Sequence, residues 1–124
     1  MSAQNWVILE RKKGELQFGK CETAPRQVAS LTKIMTSLVV LDLIDKFESS
    51  SIYASMGSRI KVMRHVAQMN GTSAYLLEND ILTVQELMYG MMLPSGNDAA
   101  EALGIHFGGI LMSNGTKNPE IEVT

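Results

Sequence analysis

Ser30 and Lys33 stand three positions apart. On a helix, side chains at i and i+3 are neighbours, so this pair sets a hydroxyl beside an amine. Serine is a poor nucleophile until a base sits next to it. A lysine serves as that base when burial or nearby positive charge destabilises its ammonium. Lys33 falls in the first turn of a segment whose other residues are largely apolar, which is such a setting. The N–H groups of that turn are also expected to point toward Ser30, where they would help hold a developing oxyanion.

The S-x-x-K pattern is short, and the chain holds a second copy, Ser58-Arg59-Ile60-Lys61. There Ile60 and Val62 alternate as in a strand. Strand residues three apart face opposite sides, so Ser58 and Lys61 cannot cooperate. On the pattern alone, Lys33 reads more readily as a surface lysine than as a base. Ser95 and Asn97 shift that balance. They occupy a short loop marked by Pro94 and Gly96 between two helical segments, and loops held by rigid elements concentrate functional side chains. A serine hydroxyl relays a proton, and an asparagine amide both donates and accepts. The same two residues are good N-caps for a helix beginning at Asp98, and both roles can hold at once.

The elements that must position these residues follow from hydrophobic period. Trp6, Val7, Ile8 and Leu9 precede the turn signal Lys12-Lys13-Gly14, after which Leu16 and Phe18 alternate with polar or small neighbours, so residues 5–21 read as a β-hairpin. After the polar connector 22–29, Leu31, Ile34, Met35, Leu38, Val39, Leu41 and Ile44 recur at helical spacing. A helix this apolar is expected to be mostly buried. Ile60, Val62 and His65 suggest a short strand, and residues 73–77 another. Thr83 and Glu86 form a capping-box pattern ahead of a second buried helix through Leu87, Met88, Met91, Met92 and Leu93. A third helix runs from Asp98 to Phe107, ended by Gly108-Gly109. The reading divides the chain into the hairpin, a mainly helical part at 30–109 and a polar tail at 110–124.

Composition limits the alternatives. At 124 residues with a net charge of −2, the chain is one domain at most, with no basic excess for nucleic acid. No run approaches the ~18–20 apolar residues of a transmembrane helix. The first residues lack the basic start and apolar run of a signal peptide, so the expected location is intracellular, or exported with the signal removed. Cys21 has no internal disulfide partner and reads as structural. Asn70-Gly71-Thr72 and Asn114-Gly115-Thr116 read as turns rather than glycosylation sites. The nine methionines read as core filler. His65 and His106 have no acidic or thiol neighbour at ligand spacing, so neither a metal nor a cofactor is expected.

Residues 29–36, Ala-Ser-Leu-Thr-Lys-Ile-Met-Thr, and the run from Leu82-Thr83-Val84 through Leu93-Pro94-Ser95-Gly96-Asn97-Asp98-Ala99-Ala100 closely resemble the serine D-alanyl-D-alanine carboxypeptidases, the low-molecular-mass penicillin-binding proteins related to serine β-lactamases. Motif order and separation match, over nearly all of residues 5–109. The resemblance implies an α+β fold of the β-lactamase/transpeptidase-like type, here its N-terminal part, with the hairpin as two strands of an antiparallel sheet. It implies Ser30 as the nucleophile that forms an acyl-enzyme with a peptide ending in D-Ala-D-Ala. Lys33 would take its proton, Ser95 would pass a proton to the leaving amine, and Asn97 would bind the substrate amide and help position Lys33. Penicillins would acylate Ser30.

The family's third motif, Lys-Thr-Gly, does not occur in the 124 residues; Gly115-Thr116-Lys117 is only its reversal. Losing one oxyanion donor alone costs about 10²–10³ in rate. An open hairpin edge and apolar helix faces need cover. A second protein segment or chain completing the sheet is therefore expected as partner. Two functions remain: a serine DD-peptidase active when complete, or a truncated, inactive homologue serving as a structural or interaction subunit. β-Lactamase activity is less favoured, because no residue is assignable to fast deacylation.

Overall fold

The computed structural model describes residues 2–113. The Asn114 sequon, the reversed motif and most of the expected tail lie outside them. Strands β1 (Trp6–Leu9) and β2 (Leu16–Lys20) pair antiparallel, Trp6 opposite Lys20 and Ile8 opposite Phe18, with a register irregularity after Ile8. The turn works because Gly14 adopts φ +69°, a left-handed conformation open to glycine. The Glu10 carboxylate accepts the N–H groups of Lys12 and Lys13, which hold its carboxyl below the ordinary value. β2 is exposed along its whole length, and Val7, Leu9 and Phe18 are all open to solvent.

A single 3-10 turn, Ala29–Leu31, leads directly into α1 (Thr32–Phe47). A second, smaller antiparallel sheet pairs β3 (Arg59–Lys61) with β4 (Ile81–Thr83), Ile60 opposite Leu82. Between them lies the short helix α2 (Arg64–Ala67). His65 belongs to α2, not to the strand suggested for it. Of the second S-x-x-K copy, Arg59–Lys61 form β3, and the hydroxyl of Ser58 just before it is occupied by Ser55 and the Ile52 carbonyl. Helix α3 (Val84–Met92) opens on the full capping box: the Thr83 hydroxyl accepts the Glu86 N–H, and the Glu86 carboxylate accepts the Thr83 N–H at 2.8 Å. Those Thr83 donors hold the Glu86 carboxyl below its ordinary value.

Helix α4 (Asn97–Met112) is the centre of the core. Ala99, Leu103 and Ile110 are fully buried on it, packed with Leu87 and Met91 of α3, Val40 and Ile44 of α1, and Val62 and Val66. Gly108-Gly109 does not end this helix, and the tail does not begin at 110: the helix runs to Met112 because burying Ile110 offsets the glycines' poor propensity, about 1 kcal/mol each. His106 is buried too, its Nε2 2.8 Å from the Tyr53 carbonyl. Burial pushes its pKa down, against the effect of that bond.

Two expectations fail on packing. α1 is not mostly buried: Val40, Leu43 and Ile44 face α4, while Ile34, Met35, Leu38, Val39 and Leu41 stay exposed. A helix apolar all round needs neighbours on every side, and among the described residues α1 has them on one. Residues 73–77 form no strand, because their N–H groups are spent on side chains: those of Ala74 and Leu76 on the Asp98 carboxylate, that of Tyr75 on the Ser73 hydroxyl and that of Leu77 on Asp80. Among the described residues no helix is long and apolar enough to cross a membrane.

Candidate active site

Ser30 sits in the middle of the 3-10 turn, preceded by Ala29 at φ +46°. That reversal brings the exposed Ser30 side chain over the start of α1. The N–H of Leu31 is taken by Val28 O, and that of Thr32 by Ala29 O. These two first-turn donors are therefore not aimed at an oxyanion, contrary to expectation.

Lys33, one turn into α1, is only 9% exposed. Its Nζ lies 2.7 Å from Asn97 Oδ1, 3.2 Å from Ser95 Oγ and 3.4 Å from Ser30 Oγ. The Ser95 and Ser30 hydroxyls are 2.8 Å apart. Of the four side chains named from the sequence, three thus converge on the amine of the fourth: Ser30 from the turn before α1, and Ser95 and Asn97 from the loop between α3 and α4 and the start of α4.

Ser95 reaches this position through a backbone that most residues avoid. α3 ends at Met92, and after Pro94 the chain turns with Ser95 at φ +62°. The turn is closed by the Gly96 N–H donating to Gly90 O at 3.0 Å and by the Thr72 hydroxyl donating to Ser95 O. Gly96 is required here by contact: a Cβ would stand 2.8 Å from both Ala74 N and Gly90 O. Both are backbone atoms that cannot swing away. Gly96→Ala is expected to destabilise by about 1–3 kcal/mol, read as a lower urea midpoint.

Gly96, not Ser95 or Asn97, is the N-cap of α4, and no side chain caps it. Asn97 is free of that duty and has both ends of its amide engaged. Its Oδ1 accepts from Lys33 Nζ, and its Nδ2 donates to Asn70 O at 3.0 Å. Its backbone N–H donates to Thr72 O at 2.8 Å. Gly71, at φ +97°, lets the 70–72 turn pass close, since a Cβ there would lie 2.6 Å from Asn97 Nδ2.

Sequence reasoning missed the importance of Asp98, noted only for its place near a helix N-terminus. It is 2% exposed. Burial pushes its carboxyl up, but donors from Ala74 N–H, the Ser73 hydroxyl, Leu76 N–H and Ala99 N–H outweigh that and hold it below its ordinary value. Hollows open on either side of the Ser30–Lys33 pair. One, about 320 Å³, is walled mainly by Val28, Leu31, Ile34, Met91 and Met92. The other, about 380 Å³, is walled by Thr32, Thr36, Thr72 and Asn97. Among the described residues, no three His, Cys, Asp or Glu side chains come together as a metal site.

Comparison with known proteins decides the family. The peptidase S11 family, described as D-alanyl-D-alanine carboxypeptidase, matches residues 1–113. The chain belongs to that family. Among its relatives, the carboxypeptidase DacF of Bacillus subtilis is 32% identical over 101 residues, covering 82% of this chain and 25% of its own length. The D-alanyl-D-alanine carboxypeptidase of Streptomyces sp. strain K15 is 32% identical over 99 residues, covering 77% and 31%. Solved structures agree. The carboxypeptidase DacD from Francisella tularensis superposes with a TM-score of 0.74 at 28% identity, covering 98% of this chain and 31% of that one. A serine-to-alanine variant of the Streptomyces K15 DD-transpeptidase gives 0.71 at 29% identity, covering 84% and 38%. The α+β architecture of the D-alanyl-D-alanine carboxypeptidases is therefore present here in part. The chain spans about a quarter to a third of the length of these curated relatives.

Proposed function

We propose that this chain carries the nucleophile half of a serine DD-peptidase site. The observation that supports it is the convergence of two hydroxyls and an amide oxygen on the buried Lys33 Nζ, within 2.7–3.4 Å. In this reading, Lys33 accepts the Ser30 proton as Oγ attacks the penultimate D-Ala carbonyl. A tetrahedral adduct forms, and its collapse breaks the amide bond. The Ser95 hydroxyl, 2.8 Å from Ser30 Oγ, relays a proton to the departing D-Ala amine. Water then adds to the Ser30 ester and releases the shortened peptide. Asn97 positions Lys33 through its 2.7 Å contact; binding the substrate amide as well requires Nδ2 to exchange its bond to Asn70 O.

Turnover in this reading also needs the Lys-Thr-Gly strand, absent from the 124 residues. The exposed apolar side of α1 and the uncovered hairpin support a further segment or chain packing there. A fluorescent penicillin, offered to the protein with every native segment present, is expected to label it covalently. Ser30→Ala is expected to abolish the label. A folded preparation that takes no label would instead favour an inactive homologue retained as a structural subunit.

A further inference from the structure

We propose that Thr72 is a positioning residue of the acyl-transfer site, acting on Ser95 and Asn97 through the 70–76 loop; this rests on the function proposed above. The loop meets the two residues through three separate bonds. The Thr72 hydroxyl donates to Ser95 O, the Thr72 carbonyl accepts the Asn97 N–H at 2.8 Å, and the Asn70 carbonyl accepts Asn97 Nδ2 at 3.0 Å. One residue therefore holds the main chain on both sides of Gly96.

Ser95 needs that hold. At φ +62° it occupies a region that a non-glycine residue leaves when nothing over-determines it. If it relaxed, its hydroxyl would leave the 2.8 Å contact with Ser30 and the 3.2 Å contact with Lys33. The loop is itself anchored from behind. Asp98 accepts the Ala74 and Leu76 N–H groups and the Ser73 hydroxyl at 2.7–3.2 Å, tying residues 73–76 to the first turn of α4. Thr72 is the link between that fixed anchor and the reacting hydroxyls. Its side chain lines the same 380 Å³ hollow as Ser30, Lys33 and Asn97, so it also faces the space a substrate enters.

The hydroxyl is the active part. Valine keeps Thr72's shape and removes the donor; serine keeps the donor. Acylation by a fluorescent penicillin should be followed at varied concentration in the protein with all its native segments. Thr72→Val is expected to lower the maximal acylation rate at least 10-fold with the half-saturating concentration little changed, and Thr72→Ser to stay within about 3-fold of the unmodified protein. Thr72→Val acylating at the full rate, while Ser30→Ala takes no label, would overturn the proposal and leave the site reading intact. If the unmodified protein takes no label, the proposed function fails instead. Amide exchange then decides the positioning claim by itself. A 10-fold or larger loss of protection at the Asn97 N–H in Thr72→Val, restored in Thr72→Ser, supports it, and unchanged protection overturns it.

Discussion

Lys33→Met should slow acylation by a penicillin about 10²–10⁴-fold, the range for removal of a positioned general base. The protein's stability should fall only modestly, by about 1–3 kcal/mol. Lys33 is buried, and its Nζ spends its hydrogen bonds on Ser30, Ser95 and Asn97. Methionine fills much the same space, and the main cost is that Asn97 Oδ1 loses its 2.7 Å partner, about 1–3 kcal/mol. The hydroxyls left behind still bond each other. A rate loss of several orders of magnitude with only a modest drop in the thermal midpoint separates a group retained for chemistry from one retained for packing. Stopped-flow acylation and a melt on the same sample measure both. An unchanged rate would show that some other group takes the Ser30 proton.

Asp98→Ala should have the opposite profile, a large loss of stability. The carboxylate satisfies Ala74 N–H, Leu76 N–H, Ala99 N–H and the Ser73 hydroxyl. Leaving several donors unpaired in a site this buried costs about 1–3 kcal/mol apiece, and about 3–5 kcal/mol in sum once partial resolvation is allowed. Urea titration of the variant reads this directly. The pH dependence has a definite sign. Asp98 is held below its ordinary value of 3.8, so the folded chain binds its proton less readily than the unfolded chain. Its contribution is whole above about pH 3.8 and is lost as pH falls through the lower folded value. The gap between wild type and Asp98→Ala should therefore be constant near neutrality and close in strong acid. A gap that stays constant into strong acid would place the stabilising bonds elsewhere.

The parts of the molecule legible in the sequence are those set by neighbours along the chain. The hairpin follows from alternation and the Gly14 turn, α1 from its helical period, and the start of α3 from Thr83 and Glu86. The second S-x-x-K copy is readable as a strand for the same reason. Bonds between distant segments are not legible this way. Nothing within residues 73–77 shows that the donors of Ser73, Ala74 and Leu76 belong to a carboxylate 22–25 positions away. The role of Thr72 is hidden likewise, since its partner Ser95 is 23 residues on. β4 escapes notice because its three residues also serve as the lead-in to a helix cap. The exposure of α1 is not legible because hydrophobic period shows which residues want cover, not whether the cover lies within the same 124 residues.

The central claim is that Ser30 Oγ is the atom that becomes acylated. Trypsin cleavage after Arg26 and Lys33 releases residues 27–33, Gln-Val-Ala-Ser-Leu-Thr-Lys, in which Ser30 and Thr32 are the hydroxyl residues. After exposure of the complete native protein to penicillin, mass spectrometry should find the adduct on this peptide, with fragmentation placing it on Ser30. A folded protein whose 27–33 peptide stays unmodified, or an adduct on Ser95, would contradict the account.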